Sequence, residues 1–328
     1  MADVRKLIEL CKEKGKVYIQ THNFPDPDAI ASAFGLQRLL VEFGVESVIC
    51  YEGRIDKLST SKMLDLFHIE VSPYDELKRV LREDDSIICV DAQKFSGNTT
   101  DFIGDEIACI DHHPTYQQVE YQYCDIREVG ACASLIAEYF QTLGLEPDAL
   151  TATALIYGIK MDTLQFSRGV KRQDVEMFSF LLPLSDDDAL AQMERNNMEF
   201  SDLQAYGNAI ENIRIYGYVG ISHLQFPCAD AMIAILSDFI LALIEVEVAV
   251  IYCERDDGIK FSVRSERSNI HAGTVTHAAL EGLGSGGGHP TMAGGLIPKE
   301  NIPLLGNYPH DFLRERFLAE VEKMEKNA

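Results

Sequence analysis

Cationic side chains are scarce in this sequence: 29 lysines and arginines face 52 aspartates and glutamates, a formal net charge of −23. That deficit excludes coating of long nucleic acid, which draws its affinity from many cations displacing counterions. It leaves small anions open as substrates, because metals and a few local Arg and His residues can hold them on an acidic surface. Paired cysteines are also lacking. The eight thiols (Cys11, Cys50, Cys89, Cys109, Cys124, Cys132, Cys228, Cys253) never fall as Cys-x-x-Cys and have mostly apolar neighbours. They read as reduced packing residues and not as a thiolate zinc or redox site. No apolar run is long enough to span a bilayer, since Ala229 to Val250 is broken by Asp230, Asp238, Glu245 and Glu247. The opening residues, with acids in the first turn, lack the apolar core of a secretory signal, so a cytoplasmic chain without a membrane partner is expected. Repeats and low-complexity tracts are missing as well. With 46% hydrophobic and 25% charged residues the composition is that of an ordinary globular protein.

What is present suits two domains in 328 residues. The first half alternates β-branched runs with amphipathic stretches, the pattern of an α/β domain with a parallel sheet and helices on both faces. Strands are expected over Val17 to Thr21, Ser47 to Cys50, Ser86 to Val90 and Ile107 to Ile110. Helices are expected over Asp28 to Phe43, Ala131 to Leu143 and Asp148 to Lys160. An acidic cap at Ser185-Asp-Asp-Asp opens helical sequence towards Asn212. The expected division is a catalytic domain over 1–188, a helical linker over 189–212 and a smaller α/β domain over 213–328. In the latter, Ile213 to Leu224, Val246 to Glu254 and Ile259 to Ser265 read as strands, and a Gly-rich segment, Gly282 to Gly295, follows a helical run from Ala272.

Acids and histidines gather at predicted strand ends. The first strand runs into His22-Asn-Phe-Pro-Asp26-Pro-Asp28, another ends in Asp91, and a third in Asp111-His112-His113. In a parallel sheet those ends lie side by side, so residues far apart in the chain converge. Asp162 closes an apolar helical run. Imidazole with carboxylate suits a first-row divalent cation, and Pro25 and Pro27 stiffen the turn that carries the two acids. An Asp after a strand is commonly a helix N-cap, which would account for Asp28, Asp91 or Asp162 singly but not for Asp-His-His.

In this order His22-x-x-x-Asp26-x-Asp28, Asp91, Asp111-His112-His113 and Asp162 resemble the four motifs of the DHH phosphoesterases, and Gly286-Gly287-Gly288-His289 resembles the signature of the DHH-associated C-terminal domain. Two departures stand out: Pro27 replaces a common Gly in the first motif, and Leu164 replaces the Gly of a common Thr-Gly after Asp162. The resemblance implies two ions, one on His22, Asp26 and Asp91 and the other on Asp28, Asp91, His112 and Asp162, with Asp91 bridging. Manganese is the implied metal, with magnesium or cobalt as substitutes. Asp111 is expected to orient the His112 ring, and His113 to face the scissile phosphate, either stabilising its oxygens or protonating the leaving oxygen.

The Gly-rich run, with His289, exposes backbone N–H groups to an anion, and by resemblance Arg264-Ser265 on the preceding strand helps hold the nucleotide's phosphates. Arg168 is a further candidate for phosphate contact, and Asn269 and His271 are candidates to border the nucleotide, Asn269 serving equally as a helix N-cap. The expected activity is manganese-dependent hydrolysis of short oligoribonucleotides or linear dinucleotides, such as pGpG and pApA, to mononucleotides. Alternatives are a pAp 3′-phosphatase, an inorganic pyrophosphatase or polyphosphatase, which the Gly-Gly-Gly-His segment argues against, cyclic dinucleotide cleavage, and a nucleotide-binding sensor, which would require a lost ligand. Apolar edge strands make a homodimer an expected assembly.

Overall fold

The computed structural model describes residues 3–55, 57–115, 117–195, 198–200 and 202–327. Two compact units emerge, Met1–Asn197 and Met198–Ala328.

In the first unit the chain runs α1 (Val4–Lys14), β1 (Lys16–Gln20), α2 (Pro27–Glu42), β2 (Glu46–Tyr51), α3 (Leu58–Phe67), β3 (Ser72–Pro73), α4 (Tyr74–Leu77), β4 (Ser86–Val90) and β5 (Asp105–Asp111). There follow β6 (Tyr123–Ile126), α5 (Cys132–Leu143), α6 (Ala149–Asp162), α7 (Arg172–Leu181) and α8 (Asp187–Glu194). The strands form one parallel sheet in the order β3-β2-β1-β4-β5-β6. Chain direction across the sheet reverses between β1 and β4, and such switch points leave a crevice beyond the strands' carboxyl ends. Residues His22 and Asp91 follow those two strands.

The β4 run Ser86-Ile-Ile-Cys-Val is buried throughout, as a parallel strand covered on both sides must be. Alternate residues divide between two cores. Val17, Ile19, Ile88, Val90 and Ile110 pack with α1, α2, α5 and α6. Tyr18, Cys50, Ile87, Cys89 and Cys109 pack beneath α4 and the stretch to Phe102, whose ring stacks on Tyr74 at 3.8 Å. Helices thus lie on both faces, unequally. The close approach of α2 requires Gly35, where a Cβ would sit 2.9 Å from Ile136 and Leu155 methyls.

The second unit carries α9 (Asp202–Asn212), β7 (Arg214–Tyr216), β8 (Val219–Leu224), α10 (Asp230–Leu241), β9 (Val248–Arg255), β10 (Gly258–Ser265), α11 (Ala272–Leu280), β11 (Ser285–Gly288), β12 (Met292–Pro298) and α12 (Pro309–Asn327). Its sheet has the order β11-β12-β10-β9-β8-β7 and is antiparallel except for the parallel β8–β9 pair. Helices α9 and α10 cover one face and α11 and α12 the other.

Three expectations change. The helical stretch 189–212 divides between the units, α8 packing on α3 and α6 and α9 on β8 and α10. The strand expected over Ile213 to Leu224 is a hairpin that turns at Gly217, whose φ of +64° favours glycine. The Gly-rich loop is largely the edge strand β11. Among the described residues no helix is long and apolar enough to cross a membrane.

Candidate metal centre

The first motif begins where β1 ends. Asp26 is the N-cap of α2, its Oδ1 accepting from the N–H groups of Asp28 (3.0 Å) and Ala29 (3.2 Å), and Pro27 takes the first helical position. There its fixed φ is already helical and its missing N–H costs nothing, which explains how Pro is accommodated in place of glycine. Asp28 caps a different helix: its two oxygens accept from the N–H groups of Cys132 (2.7 Å) and Ala133 (2.9 Å) at the start of α5. A helix N-terminus thereby fixes a carboxylate that is 1% exposed.

Asp91 follows β4 with φ +55°, a left-handed conformation that costs a non-glycine residue about 1–2 kcal/mol. That turn directs the side chain between two histidines: Oδ2 lies 3.6 Å from His22 Nε2 and Oδ1 3.3 Å from His112 Nε2. His22 Nε2 also lies 3.9 Å from Asp26 Oδ1, and His112 Nε2 lies 4.0 Å from Asp28 Oδ2 and 3.4 Å from Asp162 Oδ2. Two donor sets result, His22–Asp26–Asp91 and Asp28–His112–Asp162, in each of which the ligand atoms lie within 4.8 Å of one another. Asp91 faces both.

The histidine rings are oriented by backbone carbonyls. Nδ1 of His22 is 2.8 Å from the Asn23 carbonyl and Nδ1 of His112 is 3.0 Å from that of Val129, so in both rings Nε2 faces the carboxylates. Asp111 was expected to orient His112, and here the structure corrects the sequence reading. Its Oδ1 accepts from the His112 backbone N–H (2.8 Å) and lies 2.8 Å from Nδ1 of His113, so the ring it holds is that of His113. The half-exposed His113 ring is thereby held through Nδ1, which leaves Nε2 without a partner among these contacts.

Without cations the cluster is electrostatically costly. Burial, then the Asp91 and Asp162 carboxylates, raises Asp28 well above the usual range, and burial with Asp26 pushes Asp162 up to about 6. Burial opposes charge on the histidines, but Asp26 and Asp91 push His22 up to about 9, and Asp91 with Asp28 and Asp162 pushes His112 up to about 11. Burial is likewise overcome at Asp111, held low by His113, and at His113, raised by Asp111. Asp91 Oδ1 and His112 Nε2 are buried and have no hydrogen-bond partner; the 3.3 Å between them lacks hydrogen-bond geometry. Buried polar atoms are rarely left so, and a divalent cation satisfies both. The donor set, two imidazoles and four carboxylates, fits two such ions.

Gln93 and Asn23 went unnoticed in the sequence. Buried Gln93 donates from Nε2 to Asp111 Oδ2 (2.7 Å) and to the His113 carbonyl (3.0 Å). Asn23 donates to Thr100 Oγ1 (3.0 Å) and accepts from the Thr100 N–H (3.1 Å), anchoring the first motif. No spacing or residue type marks either one. Past Asp162, Leu164, Gln165 and Phe166 have φ of +46°, +55° and +64°. A glycine would hold the first of these without strain, so the chain keeps the turn despite Leu164. Arg168 lies against this turn, its Nη2 3.5 Å from the Asp162 carbonyl.

In the second unit Arg264 is already engaged: Nε donates to Asp238 Oδ1 (2.6 Å) and Nη1 to Ser262 Oγ (3.1 Å). It lines a cavity of about 610 Å³ with Lys260, Asp230 and Gly286. Ser265 is buried, its Oγ accepting from the Arg267 N–H (3.3 Å). Gly286 and Gly288 are glycines because neighbouring elements press on them: added Cβ atoms would lie 2.8 Å from the Thr276 methyl and 2.4 Å from the Met292 carbonyl. Gly287 faces open space, and His289 is exposed in the β11–β12 turn. The N-cap of α11 is His271, accepting from the Thr274 N–H (3.2 Å), whereas Asn269 accepts from Arg267 Nε. Backbone course decides this, since His271 sits one residue before the helix.

Comparison with known proteins agrees with this geometry. Residues 16–162 match the DHH family N-terminal domain and residues 217–315 the DHHA1 domain. An uncharacterised protein of Methanocaldococcus jannaschii is 29% identical over 290 residues, covering 88% of this chain and 59% of its own length. The bifunctional oligoribonuclease and PAP phosphatase NrnA of Thermus thermophilus is 27% identical over 311 residues, covering 90% of this chain and 87% of that protein. The crystal structure of an exopolyphosphatase-related protein from Bacteroides fragilis shares the fold, with a TM-score of 0.76, 18% identity and 99% of each chain covered. With both domains in sequence order and the residues of all four motifs in place, the chain belongs to the DHH phosphoesterase family.

Proposed function

We propose that the chain is a manganese-dependent phosphodiesterase that hydrolyses very short oligoribonucleotides, linear dinucleotides included, to mononucleotides. The observation that carries this reading is Asp91, a buried carboxylate whose two oxygens face different histidines and whose Oδ1 has no hydrogen-bond partner. His22, Asp26 and Asp91 would hold one ion, and Asp28, Asp91, His112 and Asp162 the other. Mixed imidazole and carboxylate donors favour manganese over magnesium, which prefers oxygen alone. Bound divalent ions supply Lewis acidity towards the phosphate and a nucleophile active near neutral pH.

The chain's own residues do the rest. Asp111 holds Nδ1 of His113 and raises its proton affinity, so the imidazolium Nε2 can donate to a phosphate oxygen or to the leaving oxygen. Arg168 adds positive charge beside Asp162. Arg264, Ser265, Gly286 to Gly288 and His289 of the second unit would take the substrate's terminal phosphate. The likeness to a bifunctional oligoribonuclease and PAP phosphatase supports both the diesterase reading and pAp as an additional substrate.

The test is product formation with manganese from pGpG, pApA, a five-nucleotide RNA, pAp and pyrophosphate, beside a variant carrying Asp91→Ala and His112→Ala. Mononucleotides from the short RNAs, absent in the variant, are expected. Turnover of pyrophosphate alone would overturn the substrate class, and no turnover of any would overturn the enzyme reading.

A further inference from the structure

A second cluster of ligand-type side chains lies in the second unit, and it belongs to none of the motifs. Residues His223 on β8, Glu254 on β9 and His310 in the first turn of α12 each offer one ligand atom, all within 4.8 Å of one another. The sheet explains two of the three. In the parallel β8–β9 register His223 opposes Tyr252, and Glu254, two residues further along β9, projects from the same face. β7 pairs with β8 only as far as Ile221 and does not reach His223. His310 supplies the third, its ring stacked on that of His223 at 3.8 Å with 29° between planes.

We propose that His223, Glu254 and His310 bind a zinc-class divalent ion. Two imidazoles and one carboxylate are a common three-residue set for zinc, leaving the fourth tetrahedral position to water. The Tyr252 hydroxyl lies 3.4 Å from Nδ1 of His310, which leaves Nε2 of that ring for the ion. Glu254 has no ion pair among the described residues, and Arg314, one turn along α12, is occupied by Asp311 at 2.6 Å. The negative charge of the set is therefore unneutralised. The stacked rings must turn about their side-chain torsions to aim at one ion, and the exposed His310 has the solvent space to do so. An ion so held would staple the first turn of α12 to β8 and β9.

The test uses the full chain carrying Asp91→Ala and His112→Ala, so that the first unit's centre is disabled, with Co²⁺ as a visible-absorbing probe and Zn²⁺ as competitor. One equivalent of Co²⁺ with an intense low-coordinate spectrum, displaced by Zn²⁺, is expected. Adding His310→Ala should weaken binding by more than the roughly 10- to 100-fold typical of losing an outer hydrogen-bond partner, and Glu254→Gln should weaken it less. Both positions are exposed, so an unchanged circular dichroism spectrum is expected. In the chain with an intact first centre, His310→Ala should lower bound Co²⁺ by one equivalent. No Co²⁺ on the disabled chain, or binding indifferent to both His310→Ala and Glu254→Gln, overturns the site.

Discussion

Asp111→Asn separates the role observed for this residue from the one its place in the motif suggests. The carboxylate is 1% exposed and meets three partners: the His112 N–H at 2.8 Å, His113 Nδ1 at 2.8 Å and Gln93 Nε2 at 2.7 Å. An amide keeps one oxygen for the first two but turns its NH₂ towards the Gln93 donor, so that contact becomes repulsive or Gln93 rotates away from the His113 carbonyl. Leaving a buried donor unmatched costs about 1–3 kcal/mol of stability. The larger effect falls on His113. A hydrogen bond to a charged partner contributes about 1.5–3 kcal/mol, and its loss lowers the pKa that Asp111 holds up. Because His113 is protonated below its raised pKa, losing Asp111 moves the alkaline fall of activity to lower pH. Loss of ring position should lower kcat by about ten- to a hundredfold, short of the 10²–10⁴ that a positioned acid or base supplies. Manganese content per chain should stay at the unaltered value, since Val129 and not Asp111 orients the His112 ring. The assay is kcat across neutral to alkaline pH on a dinucleotide, with bound manganese measured on the same samples. Loss of manganese with the pH profile unmoved would refute the reasoning and restore Asp111 as the support of His112.

Four more outcomes follow from the same geometry. Metal binding at neutral pH should release protons, since the metal-free chain holds them on His22 up to about 9 and on His112 up to about 11; calorimetry in buffers of different ionisation enthalpy measures the release, and none is expected if the rings are already neutral. These three raised groups, with Asp162 at about 6, favour the folded chain fully below their unfolded pKa values, and that advantage is lost as pH rises through the folded ones, so the metal-free melting temperature should fall from neutral to alkaline pH and manganese should reverse the trend. Gly158→Ala places a Cβ 2.8 Å from that of Ala31 and 3.1 Å from Asp28 Oδ1, and should cost about 1–3 kcal/mol by overpacking along with manganese affinity; a titration with unchanged affinity would count against Asp28 as a ligand. Leu164→Gly relieves a left-handed residue at φ +46° and should raise stability in urea by about 0.5–1 kcal/mol, the strain relieved less the added unfolded-state freedom.

Much of the first unit could be read from the chain alone. Apolar runs ending in His22, Asp91 and Asp111-His112-His113 imply a parallel sheet, and a parallel sheet aligns its strand ends, so convergence follows from pattern plus topology. Helix boundaries around Pro27, Cys132 and Asp162 were legible to within a residue or two because caps and apolar periodicity are local. Side-chain direction is not local. Which ring Asp111 holds depends on Gln93 from another strand end and on the Val129 carbonyl, and no sequence spacing encodes either. The glycines of β11 looked like an anion-binding loop because composition gives conformational freedom without giving its cause, which is partly the press of α11 and β12 on an edge strand. His223, Glu254 and His310 carry no motif at all and meet only because β8 runs parallel to β9 and α12 begins above them. Sequence determined which donors reach the strand ends, since burial and periodicity act along the chain. Tertiary structure decided which atoms each donor faces, since that depends on φ at single residues such as Asp91 and on neighbours distant in sequence.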